Sequence, residues 1–163
     1  MEKVGFSLGT NLGDRLKHLQ RACASLRKLA ASGHLRVSNV YETEPVDCPD
    51  GSPGFLNAAI ELEIALSPLE LLKRTQAIET GFGRPAESER ERNAPRIIDV
   101  DILYYGEDKV NTPTLVIPHP RMHERDFVLR PLADIRSDLV PENHVFDQNA
   151  TCPFADASLL TDD

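Results

Sequence analysis

The stretch "PRIIDVDILYYG" (residues 95–106) reads as a buried strand broken into by two carboxylates. Its apolar, β-branched run is strand chemistry, and side chains alternate across a strand. Asp99, Asp101, Leu103 and Tyr105 are therefore expected on one face, and Ile98, Val100, Ile102 and Tyr104 on the other. Two acids aimed to one side of a core strand need a reason, and the flanking elements supply the frame. Upstream, "SPLELLKRTQAIETGFG" predicts a helix with Ser67 as N-cap, Pro68 at its first position, Glu70 closing a capping box and Gly81 or Gly83 as the stop. Before it, "FLNAAIELEI" (55–64) alternates cleanly. Leu56, Ala58, Ile60, Leu62 and Ile64 share one side, and Phe55, Asn57, Ala59, Glu61 and Glu63 share the other, which predicts a half-covered strand.

Further out, "KVGFSLG" (3–9) predicts a first strand, and "TNLGDR" opens a helix running to about Ala31. Leu12, Leu16, Leu19, Cys23, Leu26 and Leu29 or Ala30 give that helix one apolar stripe, with Thr10, Asn11 and Asp14 as candidate caps. "HLRVSNVYET" predicts one more strand, and "EPVDCPDGSPG" a loop too rich in Pro, Gly and Asp to be regular and long enough to bind something. Beyond the quoted strand come a turn, a short extended run, a Pro-flanked His119 and a short helix through "HERDFVLRPLADI". The order β-α-β-β-α-β is that of a ferredoxin-like α+β sandwich, with irregular C-terminal additions. Residues 1–136 form the expected domain, and 137–163 an aperiodic, acidic-ended tail belonging to it.

Composition narrows the function. A chain of 163 residues is one domain's worth, large enough to bury a core without disulfides or structural metal. Three widely spaced cysteines, Cys23, Cys48 and Cys152, form no C-x-x-C pair and support neither a disulfide framework nor a zinc site. A net charge of -8 excludes a general nucleic-acid binder, so a phosphate site must be a local basic cluster. No apolar run reaches membrane-spanning length and the N-terminus lacks a signal peptide's pattern, giving the expectation of a cytoplasmic protein.

Within that frame, carboxylates two apart on a strand sit about 6 to 7 Å from each other and either face solvent and arginines or gather hard cations. Arg84, Arg90, Arg92 and Arg96 lie just upstream, able to grip phosphate oxygens, although Glu87, Glu89 and Glu91 alternate with them as a solvated surface would. "GTNLGDR" lacks the lysine of a Walker loop. Phe55 and Asn57 project together as either surface groups or the means to stack and hydrogen-bond a flat heteroaromatic ring. Gln76 and Glu79 edge the apolar stripe Leu71, Thr75, Ile78 and Phe82, as rim residues or facing the same cleft. His119 and His123 are turn residues or catalysts.

In order and spacing, "SLGTNLGDR", "YETEPV", "GFLNAAIELE", "TQAIETGFGR", "RNAPRIIDVDILYYG" and "IPHPRMHERDFVLRPLADI" resemble the blocks of the 6-hydroxymethyl-7,8-dihydropterin pyrophosphokinases, from Val4 to Ile135. The resemblance implies a monomer that moves the pyrophosphoryl group of ATP onto a reduced pterin and releases AMP. By position it implies Asp99 and Asp101 as ligands of two Mg²⁺, and Gln76, Glu79, Arg84, Ile102 and Arg125 at the ATP. Arg92, Arg96 and His119 would stabilise charge in the transition state, while Thr43, Pro45, Val46, Phe55, Asn57 and Phe127 form the pterin pocket. The arginine loop is slightly longer than in short family members, leaving Arg90 and Arg92 as alternatives for one phosphate contact. Asn93 stands where some relatives have Trp, and Thr114 where some have Arg. A metal-dependent phosphodiesterase and a small-molecule-sensing module are the rivals on the same frame.

Overall fold

A computed structural model describes residues 1–43, 54–82, 97–146 and 151–161. The chain runs through β1 (Glu2–Thr10), α1 (Arg15–Arg27), β2 (Leu35–Val37), β3 (Val40–Thr43), β4 (Phe55–Ile64), α2 (Pro68–Gly81) and β5 (Asp99–Tyr105). It continues through β6 (Val110–Asn111), β7 (Val116–Ile117), α3 (Asp126–Ile135), β8 (Thr151–Ala155) and α4 (Ser158–Thr161). The fold is α+β. Six strands make one antiparallel sheet in the order β5-β1-β4-β3-β8, with β2 also on β4, and β6 pairs with β7 in a small second sheet.

Both predicted caps of the longer helices are in place. Asp14, of the three candidates, accepts the Lys17 N–H at the head of α1, and Ser67 accepts the Glu70 N–H at the head of α2. Helix α1 stops at Arg27, short of the expected Ala31. Gly81 ends α2, and Gly83 lies outside the described residues. The apolar stripes of both helices, with Leu19, Cys23, Leu26 and Leu71 fully buried, pack on one side of the sheet against Val4, Phe6, Leu8, Ala58, Ile60 and Val100. Among the described residues no helix is long and apolar enough to cross a membrane.

Four expectations give way to the structure. The expected single strand 34–43 is two, because Ser38 and Asn39 stand opposite Ala59: Val37 pairs with Ile60, but Tyr41 with Asn57. The Ser38 hydroxyl accepts the Ala59 N–H at 2.7 Å and so takes the place of a ladder carbonyl. Strand β4 is covered on both sides rather than half-covered, since α3 lays Val128, Leu129, Leu132 and Ile135 over the face that carries Ala59. Alternation also fails in β5. Leu103 is an extra residue opposite β1, between the pairs Phe6–Ile102 and Gly5–Tyr104. Tyr104 therefore joins Leu103 beneath α3, and Tyr105 turns to the α1 and α2 side. Finally, the tail is not merely irregular: β8 extends the sheet beyond β3, and Leu160 of α4 is buried in the core beside α1.

The bulge in β5 is built around a glycine. A Cβ on Gly5 would lie 2.2 Å from the Tyr104 ring, so the ring crosses β1 at the one kind of residue that leaves it room. Its hydroxyl then donates to Glu61 on β4 at 2.5 Å. Glu61, only 1% exposed, also meets His34 at 2.8 Å and the Arg136 guanidinium at 3.0 Å. Burial works against the charge, but the donors from Tyr104, His34 and Arg136 outweigh it and hold the carboxyl below its ordinary range. This network sits at the end of the sheet remote from the paired aspartates.

Candidate active site

Strand pairing sets the site. In an antiparallel sheet directly paired residues share a face. Asp99 pairs with Gly9, Gly9 with Asn57 and Asn57 with Tyr41, so one row crosses four strands, and the carboxylate and the amide stand two strands apart in it. The next row runs Asp101–Ser7–Ala59, and Phe55 pairs with Thr43 on the other side of Asn57. All lie on the α3 face, because Ala59 packs under α3 and the Tyr41 hydroxyl donates to Asp134 of α3 at 2.7 Å.

Asn57 is buried, yet held rather than merely packed. Its amide nitrogen donates to the Thr43 hydroxyl at 2.8 Å, which turns its carbonyl oxygen toward Gly9. Phe55 beside it is half-exposed, as is Phe127 at the start of α3. The Arg125 guanidinium sits 5.4 Å from the Phe127 ring, placing a cation and an aromatic wall together.

At the β5 end, Asp101 is exposed and Asp99 half-buried. The backbone between them is fixed from outside the sheet, where Glu79 of α2 accepts the Val100 N–H at 3.0 Å. The edge strand thus gives one ladder donor to a side chain. Gln76, one turn earlier on α2, is exposed. Ile102 faces away from the aspartates, its side chain buried in the core under α1 and α2. The Thr10 hydroxyl donates to the Ile97 carbonyl and braces the entry to β5.

His119 is brought to the same end. Its backbone N–H donates to the Leu103 carbonyl at 2.8 Å, and its Nδ1 accepts the Arg121 N–H at 3.2 Å. Burial pushes its pKa below the ordinary imidazole value; Asp101 pulls the other way, and Arg125 and Arg121 push down. The ring is therefore neutral at pH 7, and with Nδ1 occupied as an acceptor its proton resides on Nε2. Asp101 lies near enough to act on its charge. His123, in the turn Met122–Glu124, is exposed.

Arg84, Arg90, Arg92 and Arg96, like Pro45 and Val46, fall outside the described residues. Three residues that sequence reasoning passed over do have a place. Thr10 was read only as a candidate cap, and Gly9 only as part of a strand. Arg15 hydrogen-bonds the Gly54 carbonyl at 2.9 Å and pairs with Glu42 at 2.6 Å, joining the two ends that flank segment 44–53. The signal for Arg15 was its position in "TNLGDR", where a helix start gave it no other task.

The donor set suits magnesium. Among the described residues no three metal-ligating side chains converge. Two carboxylates on a strand match a hard cation that completes its octahedron with phosphate oxygens and water.

Comparison with known proteins gives the family. The model of the 7,8-dihydro-6-hydroxymethylpterin-pyrophosphokinase (HPPK) family matches residues 5–137. The 2-amino-4-hydroxy-6-hydroxymethyldihydropteridine pyrophosphokinase of Bacillus subtilis is 46% identical over 129 residues, covering 79% of this chain and 75% of that protein. The Pseudomonas aeruginosa protein of the same name is 37% identical and matches 94% of each chain. A solved HPPK-DHPS in complex with substrates superposes with a TM-score of 0.63 at 14% identity over 82% of this chain, which shows the fold. This chain spans 40% of that longer protein. A paired-carboxylate strand, an amide and aromatics in register with it, and sequence likeness running through all of them have one source: the chain belongs to the 7,8-dihydro-6-hydroxymethylpterin-pyrophosphokinase family.

Proposed function

We propose that this site carries out its family's reaction, transfer of pyrophosphate from ATP to 6-hydroxymethyl-7,8-dihydropterin in folate synthesis, as a monomer on a ferredoxin-like frame. The strand order β5-β1-β4-β3, with α1 and α2 on one face, supports that frame, and the tail 137–163 belongs to the same domain as 1–136. One observation carries the functional reading: the row Asp99–Gly9–Asn57 has an acid and an amide on one face, two strands apart, which supports the one as a metal ligand and the other as the reader of a ring. That separation is about 10 Å at ordinary strand spacing, the reach of a bicyclic ring with a one-carbon arm.

Asn57 and Thr43 read the polar edge of the pterin, while Phe55 and Phe127 enclose its faces and Pro45 and Val46 close the pocket from segment 44–53. Asp99 and Asp101 hold two Mg²⁺, which when bound neutralise the phosphates and favour their alignment. Gln76, Glu79, Arg84, the strand edge at Ile102, and Arg125 hold ATP. The pterin hydroxyl oxygen bonds to the β-phosphorus as the bond to the α,β-bridging oxygen breaks; AMP leaves and the hydroxyl proton passes to solvent. Arg92 or its neighbour Arg90, Arg96, and the Nε2–H of His119 meet the charge that builds on the phosphate oxygens. Catalysis is thus positioning and electrostatics.

Chromatography of the products tests the reading. Mg²⁺, ATP and the pterin are expected to give AMP and a doubly phosphorylated pterin in equal amounts. ADP with a singly phosphorylated pterin would overturn it, and AMP formed without pterin would point to a phosphodiesterase.

A further inference from the structure

The face of the sheet away from α3 is covered by α1 and α2, and the two helices leave a groove of about 480 Å³ between them. Two stripes form its walls: Arg21, Ser25 and Lys28 follow at helical spacing along α1 to its C-cap, and Arg74, Ala77 and Gly81 do so along α2. Gln76 and Glu79 leave α2 on a different flank, where Glu79 reaches Val100, so the groove is apart from the paired aspartates. Every charged residue that lines it is a cation. Arg21, Lys28 and Arg74 are exposed, and among the described residues none of them meets a carboxylate, whereas Arg15, Arg121, Arg130 and Arg136 each do. The negative ends of the helices account for Lys28 at the close of α1 and for Arg21, whose guanidinium lies 4.5 Å from the Phe82 ring at the close of α2. Arg74 sits midway along α2, where no helix end asks for a cation. In a chain of net charge -8, a cleft lined by positive charge alone gathers anions.

We infer that the α1–α2 groove is a second binding site, separate from the candidate active site, for a small, soluble organic phosphate. Guanidinium forks, an ammonium and a hydroxyl are the groups that hold a phosphate, and Arg21, Arg74, Lys28 and Ser25 supply them. The ring of Phe82 steadies Arg21 from below. Leu29, Ile78 and Phe82, partly buried and packed on the core, give the ligand's body an apolar floor, and the small side chains at Ala77 and Gly81 leave it room. The volume is that of a small-molecule site. None of the exposed large apolar side chains lines the groove, which speaks against a membrane or a protein as its occupant.

Phenyl phosphate, titrated without Mg²⁺ at fixed ionic strength and followed by amide NMR, is the test, run on the parent, Arg74→Gln and Ala77→Leu. The first variant removes charge and leaves the space; the second does the reverse. The expected result is saturable shifts at Ser25, Lys28, Arg74 and Gly81 while Asn57 and Asp101 stay still, with affinity at least fivefold weaker in both variants. Shifts that never saturate, or that survive both substitutions, would reduce the groove to a solvated basic face and reject the site. Loss in Arg74→Gln alone would show attraction without enclosure and reject it too, and shifts centred on Asn57 and Asp101 would assign the phosphate to the candidate active site instead. Should either variant not fold, the parent decides: phenyl phosphate is expected to bind more tightly than inorganic phosphate because of the apolar floor, and equal affinities overturn the inference. Vesicles of phosphatidic acid in phosphatidylcholine should not retain the protein, and retention that Arg74→Gln abolishes would overturn the soluble ligand.

Discussion

Asp99 and Asp101 differ in exposure although they share a face, and the difference follows from their places on β5. Both are acids that the core does not need, so Asp99→Asn or Asp101→Asn should leave the melting temperature nearly unchanged while removing most of the activity, because an amide keeps the shape and loses the charge that holds Mg²⁺. Near-normal turnover in either folded variant would reject the metal assignment. Asn57 tests the other substrate. Its truncation to alanine should cost about 1 to 3 kcal/mol in pterin binding by stranding polar groups, with nucleotide binding unchanged, which titration of each ligand separately will measure. The two pairings were legible in the sequence because strand alternation alone puts Asp99 with Asp101 and Phe55 with Asn57. That the two pairs share one face was not, since it depends on β1 pairing with both strands at Gly9. His119 was legible as a candidate, but its tautomer comes from the Arg121 N–H, which no spacing rule reveals.

At the scale of elements, helices were the readable part and bulges were not. Ser67, Pro68 and Gly81 announce α2 because caps act locally. The bulges at Ser38–Asn39 and at Leu103 arise from pairing with β4 and β1, and a strict period of two cannot represent an extra residue. The same limit hid the purpose of Glu61, which looked like a solvent-facing acid and is instead the buried partner of Tyr104, His34 and Arg136. Its lowered carboxyl pKa makes stability depend on pH. The contribution is complete above the ordinary carboxylate range and is lost as pH falls through the lowered native value. Arg136→Met removes one of the groups that lower it, so acid unfolding should begin at a higher pH than in the parent. At neutral pH the variant should lose about 3 kcal/mol, as expected when a buried charge loses one partner. A denaturant midpoint measured across pH will register both effects, and an unshifted acid limb would mean that Arg136 does not support the Glu61 charge.

For the whole molecule, the sheet order sets the two halves of the proposed site apart: β5 carries the acids at one edge, and β3, with Thr43, lies toward the other. The tail decides whether β3 is an edge. With β8 present it is paired on both sides, from Val40 opposite Ala155 to Thr43 opposite Thr151. The α4 turn that follows is tied down by Gln20 to the Leu159 carbonyl at 2.7 Å, by the Ala157 N–H to Asn39 at 2.9 Å, and by the burial of Leu160. None of this was legible beforehand, because five residues that contain Pro153 carry too weak a strand pattern and only the exposed side of β3 makes them one. Deleting residues 151–163 should therefore destabilise the fold by at least about 2 kcal/mol, the value of one fully buried leucine. It should also loosen Thr43 and with it the Asn57 amide. Pterin affinity is expected to fall severalfold while nucleotide affinity holds, since β5, with the aspartates and the Glu79 contact, lies four strands away from β8. Equal losses for the two ligands would mean that the truncation acts by global unfolding, and no loss for either would show that β3 keeps its geometry as a free edge.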